Sequence, residues 1–319
     1  MNPIVPPAPP ANPPPAIVPK RKPVPVYTYT SLNRWMAELG LNPARLVARS
    51  PLTTYAVSSA NGVLVLGIGS LGTTWNGIEI NLGFDPQNVD GEVMLHGLDL
   101  QKNLEPLLTE PPISFPQTNR TVVIDPGHGG DNHGTFSVAG GRFEKEFTLD
   151  WARRLKPLLE SEGWTVFLTR TGDYYVTNAD RVSFAEARHA DAFISLHFNS
   201  SDKNDSKASG LETYCITPIG MPSTLTRGYA DPLFENLPNN NFDEQNLRLA
   251  VRVHSALLRA TGIQDRGVRR ARFETVLRGQ NRPAILVEGG YLSNPREAAL
   301  IESPDYRQKL AEAVAAALK

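Results

Sequence analysis

Cysteine is almost missing: Cys215 is the single one in 319 residues. This excludes an intrachain disulfide, a zinc-thiolate cluster and a CxxC redox pair, and leaves any bound metal to histidine and carboxylate ligands. An excess of charge of either sign is missing too, since 32 Lys and Arg stand against 33 Asp and Glu for a net charge of −1. No basic field points to nucleic acid or to an anionic membrane surface. No apolar run approaches membrane-spanning length, so no membrane insertion is expected of this chain, and the N-terminus lacks a charged stretch followed by an apolar one. If the protein is exported, its signal is missing from this chain. With 40% hydrophobic residues the chain is long enough for a well-buried core and a second, smaller domain.

Proline is plentiful at one end. Residues 1–26 hold eleven prolines and the basic cluster Lys20-Arg21-Lys22, a composition that favours an extended tether without a core. A small, β-rich module is expected over 27–109. It opens with a short amphipathic helix, in which Leu32, Trp35, Met36 and Leu39 recur at helical spacing between Ser31 as N-cap and Gly40 as stop. Strand-like runs follow, with Asn76-Gly77 as a type I′ hairpin turn, then "VDGEVML" at 89–95 and a second helix at 97–108. "EPPISFPQTNR" at 110–120 reads as a linker.

Over 121–319 the pattern changes. The runs "TVVID", "WTVFLTR", "DAFISLHFN", "LETYCI" and "PAILVEGG" alternate with helical stretches at 144–162, 178–190, 243–261 and 295–319, the last broken at Ser303-Pro304. Such alternation predicts an α/β fold: an open, mostly parallel sheet with helices on both faces, preceded by the small, mainly-β α+β domain.

Open α/β sheets place their sites outside the carboxyl ends of the strands. His128 follows the strand ending at Asp125, His197 closes "FISLH" and Glu288 closes "AILVE". Glu144 opens the helix after the glycine-rich loop, with Glu146 two residues on as a second acid for the same place. Two histidines and a carboxylate are the ligand set of many catalytic zinc sites. A further carboxylate then has work to do, taking a proton from water and giving it to a leaving amine. An acid closing an apolar strand is costly to bury without a partner, which makes Glu288 the strongest single candidate. His133 in "GDNHG" is a rival ligand. His254 lies on an apolar helix face and reads as a core or half-buried histidine, His189 faces solvent, His96 belongs to the module, and Cys215 reads as a small buried apolar residue.

These stretches resemble the zinc-dependent N-acetylmuramoyl-L-alanine amidases of the amidase type 3 family. The resemblance covers about 120–319 and rests on "VVIDPGHGG", "EKEFTLDWARRL", "FLTRTGD", "DRVSFAEARHADAFISLHFNS" and "PAILVEGGYLSNPREAALI" in the family's order. It implies that His128, Glu144 and His197 bind one Zn2+ per chain and that Glu288 is the catalytic acid/base. The implied substrate and partner is peptidoglycan, cut between the lactyl group of N-acetylmuramic acid and the L-alanine of the stem peptide. The implied location is outside the cytoplasm, in the periplasm or cell envelope. Two other readings compete, a different zinc peptidase or deacetylase and a non-catalytic wall-binding protein on the same scaffold. The absence of HExxH counts against the first, and the intact set of candidate residues against the second. The sequence departs from the family pattern at His133 and in a long polar stretch at 217–242, where some members carry an autoinhibitory helix. Lacking an amphipathic period, that stretch reads as a loop that contacts substrate. The module resembles, more weakly, the N-terminal-like module of copper amine oxidases, with no copper implied.

Overall fold

The structure, a computed structural model, describes residues 28–111, 113–116, 120–201 and 207–319. The expected tail at 1–26 lies outside the described residues, and the expected linker at 110–120 is described only in part.

The module begins with β1 (Tyr29–Ser31) and α1 (Leu32–Glu38) and continues through β2 (Arg45–Ala48), β3 (Thr54–Ser59), β4 (Gly62–Gly67), β5 (Gly72–Trp75) and β6 (Ile78–Asn81). Asn76 and Gly77 both take positive φ, 49° and 83°, as a type I′ turn requires, and join β5 to β6. β7 (Gln87–Val89) and β8 (Glu92–His96) form a separate small sheet with β1. The helix expected at 97–108 is three pieces: α2 (Gly97–Asp99), a π-helical stretch over Leu100–Leu104, and α3 (Glu105–Leu108), where Pro106 sits at the helix start. A proline has no N–H to give to the preceding turn, which suits a fresh helix start better than a helix interior.

The larger part comprises β9 (Thr121–Pro126), α4 (Glu144–Ser161), β10 (Thr165–Leu168), α5 (Asn178–Glu186), β11 (Ala192–Asn199), β12 (Leu211–Cys215), α6 (Asp243–Thr261), β13 (Asp265–Arg270), α7 (Thr275–Arg278), β14 (Ala284–Tyr291), α8 (Pro295–Glu302) and α9 (Pro304–Ala317). Strands β10, β9, β11 and β14 lie side by side and parallel, β12 pairs antiparallel with β14, and β13 pairs parallel with β12. The sheet does not stop there. Val268 of β13 pairs with Ile80 of β6, so one mixed sheet of 11 strands runs from β10 through the module to β2.

A strand's period of two sorts its residues between the sheet faces. Val122, Ile124, Ile194, Leu196, Ile285 and Val287 face α4, α6 and α9 in the larger core, where Phe147, Trp151, Leu155 and Leu159 line up at helical spacing on α4. Val123, Phe193 and Leu286 face the other way, with Ala185 of α5 and Val276 of α7, in a smaller core. Asp125, Ser195, His197 and Glu288 share the parity of this second set. They emerge at its carboxyl end, where α5 and α7 are short and leave room for a cleft.

Candidate functional site

The cleft, about 390 Å³, is lined by His128, Glu144, His197 and Glu288 together with Arg181, Asn199, Arg227 and Glu274. His197 and Glu288 are direct register partners on neighbouring parallel strands. His128 stands in the loop after β9 at φ 62°, a left-handed conformation unusual for a residue with a Cβ. Gly127 precedes it because a Cβ there would lie 2.2 Å from the His197 ring. A Cβ at Gly134 would lie 2.6 Å from Glu144 Oε2, so the same loop also clears the carboxylate.

Glu144 reaches the rim from the first turn of α4, and four donors hold its two oxygens. Oε2 lies 3.0 Å from His128 Nε2 and accepts from Thr135 N at 3.0 Å. Oε1 lies 3.0 Å from His197 Nδ1 and accepts from Phe198 N at 3.0 Å. Glu146, the alternative acid, instead caps its own helix by accepting from Phe143 N and pairs with Arg142. Burial works against the Glu144 anion, but the His128 charge and these hydrogen bonds win and hold its proton affinity below the usual carboxylate range. His128 Nδ1 donates to Asn132 Oδ1 at 2.8 Å, which turns Nε2 toward Glu144. Burial works against the His128 cation too, yet Glu144 raises its pKa, whereas burial lowers that of His197.

His128, Glu144 and His197 thus form a group that could hold a metal ion, with one ligand atom from each lying within 4.8 Å of the others. The donor set fits. Two imidazoles and a carboxylate are a common ligand set for zinc, and Glu144 stands between the histidines, 3.0 Å from each through a different oxygen. Glu288 fits a different role. It is 5% exposed, and its Oε2 has no hydrogen-bond partner among the described residues. Burial, then the nearby Glu144 charge, push its pKa well above the carboxylate range.

Several residues around this set escaped the sequence reading. Asp125, at the end of β9, pairs with the buried Arg181 of α5, which also donates to Pro126 O at 2.9 Å and His128 O at 2.8 Å and so pins the histidine loop. The signal was available, since Asp125 closes an apolar strand just as Glu288 does. Arg227 comes from the loop at 217–237, and its Nη2 lies 3.9 Å from Glu288 Oε1. Glu212, register partner of Glu288 on β12, accepts from Asn199, Tyr214, Tyr291 and Arg266.

The rival candidates lie elsewhere. His133 is exposed, packs its ring 4.5 Å from Phe143 and stays out of the three-residue group. His254 is fully buried between Thr213 Oγ1 and Asp265 Oδ1, each at 2.9 Å. His189 is exposed and Cys215 buried.

Over residues 122–319 the chain matches the family described as N-acetylmuramoyl-L-alanine amidase. Fold and match together define the class, a peptidoglycan amidase. The chain is 33% identical over 207 residues to the "Probable cell wall amidase LytH" of Staphylococcus epidermidis, covering 65% of this chain and 60% of that relative's length. Among solved structures, the N-acetylmuramoyl-L-alanine amidase AmiC2 of Nostoc punctiforme is 34% identical with a TM-score of 0.51, covering 62% of this chain and 94% of that one. The catalytic domain of CwlV, an N-acetylmuramoyl-L-alanine amidase from Bacillus (Paenibacillus) polymyxa var. colistinus, is 30% identical with a TM-score of 0.51, covering 62% and 95%. The chain belongs to the N-acetylmuramoyl-L-alanine amidase family.

Proposed function

We propose that the protein hydrolyses the amide between the lactyl group of N-acetylmuramic acid and the L-alanine of the stem peptide, using one zinc ion held by His128, Glu144 and His197. A zinc ion held there would supply Lewis acidity, polarising the scissile carbonyl and lowering the pKa of water to ~7. Glu288 does the proton work. Its Oε2 takes a proton from the attacking water while the hydroxyl oxygen joins the carbonyl carbon, and returns it to the amide nitrogen as the C–N bond breaks. The products are the lactyl carboxylate and the alanine amine. Asn132 fixes the His128 ring, and Arg181 holds its loop.

One observation carries this reading: a buried carboxylate oxygen without a partner, on the strand next to a His–Glu–His cluster. Family membership supports the substrate, and the substrate in turn supports an exported protein acting in the periplasm or cell envelope. For the N-terminal module the same reading assigns positioning on the wall, supported by its shared sheet with the larger part. Metal analysis combined with turnover tests the roles. Wild type should carry about one zinc per chain, and Glu288→Gln should keep that zinc yet lose activity by ~10²-fold or more. Loss of zinc from Glu288→Gln, or a wild-type rate in it, would reverse the assignment.

A further inference from the structure

We propose that Arg227 anchors a carboxylate of the substrate's stem peptide, and so makes this cleft select peptides with an acidic residue beside the alanine. The inference rests on the amidase reading and adds the chemistry of the peptide side.

The cleft is rich in acids. Glu144, Glu274 and Glu288 line it, and Glu212 stands beside Glu288. Burial raises the pKa of Glu274 to about 7 and that of Glu288 well above the carboxylate range, which reduces their charge. A carboxylate of the peptide still needs a donor among these acceptor-rich side chains. Two arginines line the cleft. Arg181 is 3% exposed and spends its donors on Asp125, Pro126 O, His128 O and Val176 O. Arg227 is different, with a side chain 37% exposed. Its Nη2 donates to Asn199 Oδ1 and to Tyr214 OH, each at 3.2 Å, while Nε and Nη1 make no hydrogen bond among the described residues.

The guanidinium is also held in place. It lies 5.2 Å from the Phe273 ring centroid and 5.5 Å from that of Tyr214. Tyr229, two residues on, stacks on the same Phe273 ring. The loop itself is tied down. Thr224 N donates to Arg270 O at 2.9 Å and Arg270 N to Thr224 Oγ1 at 3.0 Å. Buried Arg272 donates to Pro218 O, Met221 O and Asp231 Oδ1, and Asp231 accepts from Ser223. Ordering costs are thereby met before a ligand arrives.

A counter-ion for Glu288 would be built differently. Arginine and carboxylate that serve each other close to a hydrogen-bonded, commonly bidentate pair, whereas here the gap is 3.9 Å. Arg227 is close enough to offset part of the acid field and keeps donors free for another carboxylate.

The test uses the full chain and two muramoyl tripeptides, L-alanine, γ-linked D-glutamate and L-lysine, that differ only in whether the α-carboxyl of the glutamate is free or amidated. Wild type should favour the free acid about 10-fold or more in kcat/KM, mainly through KM, as expected for a charge-assisted hydrogen bond. In Arg227→Gln the ratio of kcat/KM between the two tripeptides should fall to about 1, because KM rises for the free acid and not for the amide, while any change in kcat through the nearby Glu288 is shared by both. Arg227→Lys should restore part of the preference, because the charge returns without the planar fork. Three results would overturn the proposal: a preference unchanged in Arg227→Gln, an equal rise in KM for both tripeptides, or a loss confined to kcat. Failure of wild type to cleave either tripeptide would remove the amidase reading and this inference with it, and is distinguished from the other three by the wild-type rates alone.

Discussion

Replacing Glu144 with Gln changes one oxygen to an NH2 group and removes one charge, and the consequences follow from its four contacts. Oε1 accepts from Phe198 N and Oε2 from Thr135 N. Whichever way the amide is turned, its NH2 meets one of these backbone N–H groups. One buried donor is then left without an acceptor, at a cost of about 1–3 kcal/mol. At roughly 2–4 °C per kcal/mol for domains of this order, the metal-free variant should melt several degrees below metal-free wild type. The second consequence concerns zinc. Wild type held at 100 times its dissociation constant should gain about 2.7 kcal/mol from binding, whereas the variant, lacking the anionic ligand, should gain far less at the same concentration. Thermal melts of both proteins, with chelator and with a zinc series, measure both effects. A variant as stable as wild type in chelator, and raised equally by zinc, would refute the placing of Glu144 between the histidines.

Two further outcomes concern the rest of the fold. Arg270 is buried at the seam, donating from Nη2 to Lys102 O and Asn103 Oδ1 of the module and from Nη1 to Ile216 O and Asp243 O. Arg270→Met leaves these four acceptors without this donor and, at about 1–3 kcal/mol for a buried group left unpaired, should cost at least about 3 kcal/mol in urea unfolding; a loss under about 1 kcal/mol would mean that the seam contributes little. Asp99 is fully buried, and desolvation raises its pKa from 3.8 to about 6. A raised folded pKa gives a stabilisation that is full below the unfolded value and lost as pH rises through about 6. Between pH 4 and 8, wild type should thus lose up to about 3 kcal/mol relative to Asp99→Asn, and parallel stability curves for the two proteins would contradict this.

Much of the candidate site was legible because strand ends and residue chemistry are local. His197 and Glu288 each close an apolar run, share one sheet face by parity, and meet in register. The glycine-rich loop announced His128, and the helix after it announced Glu144. Strand order leaves a weaker trace. Nothing in the hydrophobic pattern says that β12 runs antiparallel to β14, or that Val268 pairs with Ile80 and joins the module to the main sheet. Arg227 was hidden for a related reason. It lies in a polar loop without a period, and its position comes from Arg270, Arg272 and Phe273, more than forty residues further along the chain. His133 shows the reverse case: its residue type made it a rival ligand, but its ring packs on Phe143 outside the three-residue group.

The most direct test of the central claim is a digest of purified peptidoglycan sacculi by the full chain, with the soluble products identified by mass spectrometry. Stem peptides beginning with a free L-alanine amine should appear while the glycan strands stay intact, and the release should stop with a chelator and resume with added zinc. Products still carrying muramic acid on their peptides, or release indifferent to the chelator, would contradict the account.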